Sequence, residues 1–278
     1  MKPKLLIVAV VALLFSSCKK SDAPQTAETE IETTFKLSND QAIAEYLTDD
    51  ANDIMMSVVE ENNLSGNRGG DPVVSNFLCA TVTVTPQMGF PKTIVIDFGP
   101  LPGCTSPTGV IRSGKIQVVI SDSLRHPQST SIMTFQNYYV NGFKKQGTIT
   151  WTNTSTPPVR SWRRGVVDGK ITAPDGRWWL HNGLKEFVQT AGQNTHIQND
   201  DIFRITGQGN TINSAGRTRS HQITEPLQKK NACQWIDKGK IRFEGPNHFS
   251  VLDFGNGDCN RLATITIDGQ VTHNILLP

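Results

Sequence analysis

A chain of 278 residues, 37% hydrophobic and 19% charged with a mean hydropathy of −0.31, is long enough to bury a core and too polar for a polytopic membrane protein. Its formal charge of +2 hides an asymmetry. Residues 18–71 hold 4 basic and 12 acidic side chains, a charge of −8, whereas residues 72–278 hold 21 basic and 13 acidic, a charge of +8.

Residues 1–17 read as a lipoprotein signal peptide. Lys2 and Lys4 form the charged start, and Leu5 to Phe15 is an unbroken apolar run of 11 residues, too short for a bilayer of about 30 Å. Phe15-Ser16-Ser17-Cys18 then sets two small residues before a cysteine, the pattern at which a bacterial lipoprotein is cleaved and acylated. Cys18 is the expected lipid attachment, and several acyl chains on it would hold the chain at a membrane where one holds only marginally. Of the 5 cysteines this leaves four, an even number, as an oxidising compartment favours.

Residues 18–37, rich in Thr, Ala and Glu without apolar periodicity, read as a flexible tether. An acidic helical segment follows over 38–64. Ser38 is placed to cap a helix over residues 39–47, and Thr48 or Asp49 to start another. Leu47, Ala51, Ile54, Met55 and Val58 make one apolar stripe, with Asp49, Asp50, Asp53, Glu60 and Glu61 on other faces. Solvation of that acidic face is the plainer expectation, and docking against the basic remainder is the alternative. Residues 65–76, opened by a glycine-rich run, read as a linker.

From residue 77 to 278 the period changes to two. Leu78, Ala80, Val82 and Val84 alternate with polar partners, as do Ile94, Ile96 and Phe98, then Ile116, Val118 and Ile120, and later Ala263, Ile265 and Ile267. Asn141-Gly142, Asp168-Gly169, Asp175-Gly176, Asn256-Gly257 and Asp268-Gly269 supply turn chemistry at spacings too short for helical crossovers. The expected fold is mainly β, with antiparallel meandering sheets in a two-layer sandwich, preceded by a short N-terminal helical segment.

The ends of this β region repeat each other, over 79–120 and 233–277. Cys79 and Cys104 are 25 apart and Cys233 and Cys259 are 26 apart, with Asp97-Phe98-Gly99 and Asp253-Phe254-Gly255 before the second cysteine of each pair. Disulfides Cys79–Cys104 and Cys233–Cys259 are therefore expected, each closing a hairpin and contributing about 3 kcal/mol in the chain-entropy account. No Cys-x-x-Cys or paired-histidine spacing points to a metal, and no cofactor is implied.

Nothing in the chain assembles a nucleophile with its base. The one patch with binding chemistry is Trp162, Arg163 and Arg164 with Arg177, Trp178 and Trp179, since aromatic faces beside guanidinium groups suit sugar rings, anionic polymers or headgroups. Trp178 and Trp179 alternate along a strand, so one of them is equally suited to the core. Nucleic acid is not an expected partner outside the cytoplasm.

With Phe15 to Cys18, the Ser-Ser-Cys-Lys-Lys start, the acidic helix and the Cys, Asp-Phe-Gly, Cys unit in view, the sequence resembles a group of uncharacterised envelope lipoproteins of Bacteroidota. The resemblance implies a lipid-anchored protein of the outer membrane and supplies no catalytic residues. The function expected is binding or structural, with a glycan or an anionic envelope polymer as partner. A hydrolase acting on glycans through carboxylates brought together by the fold is the alternative.

Overall fold

The computed structural model describes residues 27–61, 73–75, 79–195 and 197–277. The signal peptide, Cys18 and most of the expected linker lie outside them. Helix α1 (Ala27–Glu61) is followed by β1 (Val73–Ser75), β2 (Ala80–Thr85), β3 (Lys92–Asp97), β4 (Cys104–Thr105), β5 (Ile111–Ile120), β6 (Thr130–Val140), β7 (Phe143–Asn153) and β8 (Ser161–Thr172). Then come β9 (Trp178–Ala191), β10 (Ile202–Asn213), β11 (Thr218–Lys230), β12 (Ile236–Glu244), β13 (Phe249–Asn256), β14 (Leu262–Ile267) and β15 (Val271–Leu276). The strands lie side by side in chain order and antiparallel, except that β3 and β4 both pair with β5. The mainly β expectation holds, but these strands form one continuous open sheet in place of two separately bonded layers.

Alternation does what period two requires. Ala80, Val82, Val84, Ile94, Ile96, Ile116, Val118, Ile120, Ala263, Ile265 and Ile267 are all buried. What they bury against is the helix. From Gln41 to Ala51 every position of α1 except Ile43 is buried, so burial there covers all faces and not the foreseen stripe alone; beyond Ala51 the stripe holds, with Ile54, Met55 and Val58 buried and Asn52, Asp53, Met56 and Ser57 half-buried. Leu47, Ala51, Ile54, Met55 and Val58 join the core, each large apolar side chain contributing roughly 1.5–3 kcal/mol. Ala42 meets a second cluster supplied by β9 to β15. The sheet therefore curls about the helix.

Bulges let it curl. Register shifts break the ladders between β7 and β8 and between β11 and β12, beside Gly147 and Gly239. A β-carbon on Gly147 would stand 2.6 Å from the Asp168 carbonyl oxygen, and one on Gly239 2.4 Å from that of Pro226, so only glycine, at φ near +105° and +103°, lets the neighbouring backbones close. Asp168-Gly169, expected as a hairpin turn, belongs to the first of these bulges within β8. The same chemistry that favours a tight turn, positive φ at Asp168, serves a bulge equally well.

Three further boundaries differ from expectation. Residues 27–37, assigned to the tether, are helical, with Thr33, Thr34 and Leu37 buried. Ser38 and Thr48 are not helix starts: their hydroxyls donate back to the Thr34 and Ala44 carbonyls, 2.7 Å each, from inside one continuous helix. Val73–Ser75, within the expected linker, adds an edge strand to β2.

The terminal repeat is structural. Disulfides join Cys79 to Cys104 and Cys233 to Cys259, with Cα atoms 6.0 and 5.7 Å apart. In both copies the aspartate carboxylate accepts from the glycine amide two residues on, at 2.9 and 2.8 Å, while Phe98 and Phe254 point into the core. Asp97-Phe98-Gly99 ends β3, whereas Asp253-Phe254-Gly255 lies within β13, where the ladder to β12 shifts register.

Candidate functional site

Charge pairing holds the helix in place. Arg112 of β5 bonds Asp50, Nε to Oδ2 at 3.1 Å; Arg164 of β8 bonds Glu45 and, at 2.6 Å, Asp49; Lys185 of β9 also reaches Glu45; Lys229 of β11 lies 3.3 Å from Asp53. Lys145 of β7 donates to the Thr48 hydroxyl at 2.8 Å. Solvation, the plainer expectation for the acidic face, is thus overturned for Asp49, Asp50 and Asp53, because the cations stand at inward-facing strand positions level with them, whereas Glu61 is exposed as foreseen.

A second repeat, of hairpins, grips the helix N-terminal half. Gly169, Gly176-Arg177 and His181 recur forty positions later as Gly209, Gly216-Arg217 and His221, with Arg219 standing where the first copy has Trp179. Arg177 donates to Asp40 at 2.5 Å, and Arg217 to Thr33 two turns earlier, also at 2.5 Å. Both histidines are buried beside the glycine that faces them, so close that a β-carbon on Gly169 or Gly209 would lie 2.7 or 2.8 Å from the imidazole Nε2. The forty-residue offset is visible in the sequence once glycine, arginine and histidine are aligned together.

Burial and cross-strand charges shift these groups. Burial raises the Glu45 carboxyl, yet Arg164 and Lys185 together pull it well below the usual carboxylate range. Burial and the Glu45 charge push Asp49 up. Burial, aided by Arg164, brings Lys145 down to about 7, and burial, aided by Lys185, takes His221 down to about 3. Such shifts mark catalytic groups in many enzymes. The gap beside Glu45 and Asp49, however, measures about 10 Å³, space for roughly one water, so these two carboxylates face no substrate-sized opening. The network is a latch between helix and sheet.

The expected patch does not form one surface. Arg164 and Trp179 are buried, Trp162 packs edge-on against Phe203 with ring centroids 5.8 Å apart, and Arg163 is exposed, bound to Glu186 at 2.6 Å. Trp162 is paired with Phe187, nine positions along β9 from Trp178, a separation of about 30 Å at strand rise. Sequence proximity misled because the two clusters stand at opposite ends of a long hairpin.

The structure brings Trp178 together with residues not singled out before. Tyr139 pairs with Lys144, Lys144 with Thr172, and Thr172 with Trp178, so one row crosses β6 to β9 on the outer face. The Lys144 ammonium sits 5.7 Å from the Tyr139 ring centre, and that of Lys170 sits 4.4 Å from Trp178. All four are half-buried. Their sequence signal was each residue's neighbour: Tyr138, Lys145, Ile171 and Trp179 point inward, which turns Tyr139, Lys144, Lys170 and Trp178 out.

Further along β9 the outer face opens into a trough of about 550 Å³, within the size range of ligand sites. Two cross-strand rows line it: Asn182, Asn210, Ser220 and Glu244 in one, Leu184, Gln208, Gln222 and Arg242 in the other. Arg242 bonds Glu244, so its charges are paired. Asn210 Oδ1 is shielded from solvent without a hydrogen-bond partner, which costs on the order of 1–3 kcal/mol.

Among the described residues no helix is long and apolar enough to cross a membrane, and no group of three or more His, Cys, Asp or Glu is placed to hold a metal ion. No protein-family model, curated protein or solved structure matches the chain.

Proposed function

We propose that the chain is an outer-membrane lipoprotein, anchored through acylated Cys18, that binds an envelope polymer with the outer face of its sheet. The observation that carries the binding role is the outward face on which Lys144 stands by the ring of Tyr139 and Lys170 by that of Trp178. Such rings stack on sugars while ammonium groups meet anionic substituents. Against the hydrolase reading stands the trough, where the one lining carboxylate, Glu244, is already bound to Arg242. Glycoside hydrolysis needs two carboxyl groups facing across a scissile bond.

Binding of the full-length protein in detergent to an anionic polysaccharide should weaken about tenfold in Lys144→Ala/Lys170→Ala and similarly in Trp178→Ala, with melting temperature retained, and should fall as salt rises. Binding that survives all three changes would place the ligand elsewhere. The anchor is tested separately: radiolabelled palmitate should enter the wild-type chain and not Cys18→Ala, and equal labelling of both would refute acylation at that residue.

A further inference from the structure

We infer that the trough over β9 to β12 binds an uncharged oligosaccharide; this rests on the polymer-binding reading above and names the ligand class for a second stretch of the same face. The trough begins two outward positions along β9 from Trp178, at Asn182, so one extended chain could lie across both. Its chemistry differs from that of the rings beside the lysines.

Four carboxamides face it from three neighbouring strands: Asn182, Asn210, Gln208 and Gln222. Each carries a donor and an acceptor side by side, the arrangement that adjacent sugar hydroxyls answer. Neighbouring strands stand about 4.8 Å apart, so the amides recur at the scale of one sugar unit along an extended glycan. Gln208 and Gln222 are exposed, and Asn210, which lines the trough, has an Oδ1 without a hydrogen-bond partner in the protein, an acceptor that a sugar hydroxyl would satisfy. The sequence places no apolar or charged residue at these four positions.

The alternatives fit less well. A phosphate-bearing or acidic ligand would seek a free cation, whereas Arg242 is neutralised by Glu244. An extended peptide would pair with a strand edge, yet β9, β10, β11 and β12 each already have a partner on both sides. A lipid tail would need an apolar lining, and Leu184 is the one large aliphatic side chain there.

The test titrates the full-length protein in detergent with uncharged hexasaccharides of glucose, mannose and N-acetylglucosamine, and with an oligogalacturonate as the charged counterpart. At least one uncharged hexasaccharide should bind, unaffected by salt. Its affinity should fall tenfold or more in Gln208→Ala/Gln222→Ala and in Ser220→Trp, which fills the trough, while both variants melt with the wild type. An uncharged ligand that binds all variants equally would overturn the inference. So would binding of oligogalacturonate alone, lost with Lys144→Ala/Lys170→Ala; that result would leave the polymer-binding reading standing. If neither class binds, both fall.

Discussion

Replacing Arg164 with alanine is expected to destabilise the protein by about 3–5 kcal/mol, because it removes the cation shared by two buried carboxylates. Glu45 would keep only Lys185, and Asp49 would lose its bonded partner. The side chain also fills space: its guanidinium lies 5.0 Å from the Phe187 ring centre and 5.5 Å from that of Trp151. The melting temperature should fall by on the order of 10 °C. Arg163→Ala, one residue away on the outer face, breaks only an exposed pair with Glu186 and should cost about 1 kcal/mol or less. Because Arg164 and Glu45 form one network, Arg164→Ala/Glu45→Ala should cost less than the two single changes summed, by about 0.5–3 kcal/mol. Equal melts for Arg163→Ala and Arg164→Ala would refute the latch.

Strand positions were legible because alternation is local: Ile94, Ile96 and Ile116, Val118 carry their own facing in the order of residues. The disulfides were legible because a covalent pair inside a repeat leaves its spacing in both copies. The wrap about the helix was not. It depends on bulges at Gly147 and Gly239, and a bulge shares its residue chemistry with a turn, as Asp168-Gly169 illustrates.

The latch also leaves a signal in the sequence. The inward series of β9 runs Trp179, His181, Lys185, Phe187, so a lysine stands where period two demands a core residue. Arg164, Lys145 and Arg219 do the same on β8, β7 and β11. Basic residues in core register, set against a helix rich in acidic side chains, specify that helix as their partner. A buried ion pair gives little net stability over a well-packed apolar one. What it adds here is register, since Asp40, Glu45, Asp49, Asp50 and Asp53 each meet a cation from a different part of the sheet or share one with a neighbour.

Trp179 sits at the centre of the hairpin grip, and its truncation is expected to rival the loss of Arg164. Its ring is fully buried, paired with Ile171 on one side and Asn213 on the other, with the Arg177 guanidinium 4.9 Å from its centre. Trp179→Ala should cost about 3–5 kcal/mol, the price of a large cavity in a core that cannot fully collapse around it. Trp178→Ala, on the outer face under Lys170, should leave the melt within about 1 kcal/mol of wild type. Trp179→Phe makes the sharper test. Its Nε1 is buried without a hydrogen-bond partner, so phenylalanine gives up volume but also removes an unsatisfied donor. The phenylalanine variant should therefore lose well under half of what alanine loses. Paired thermal and denaturant melts of the three variants measure this directly, and a Trp179→Phe protein as unstable as Trp179→Ala would show that the indole nitrogen is bonded in solution.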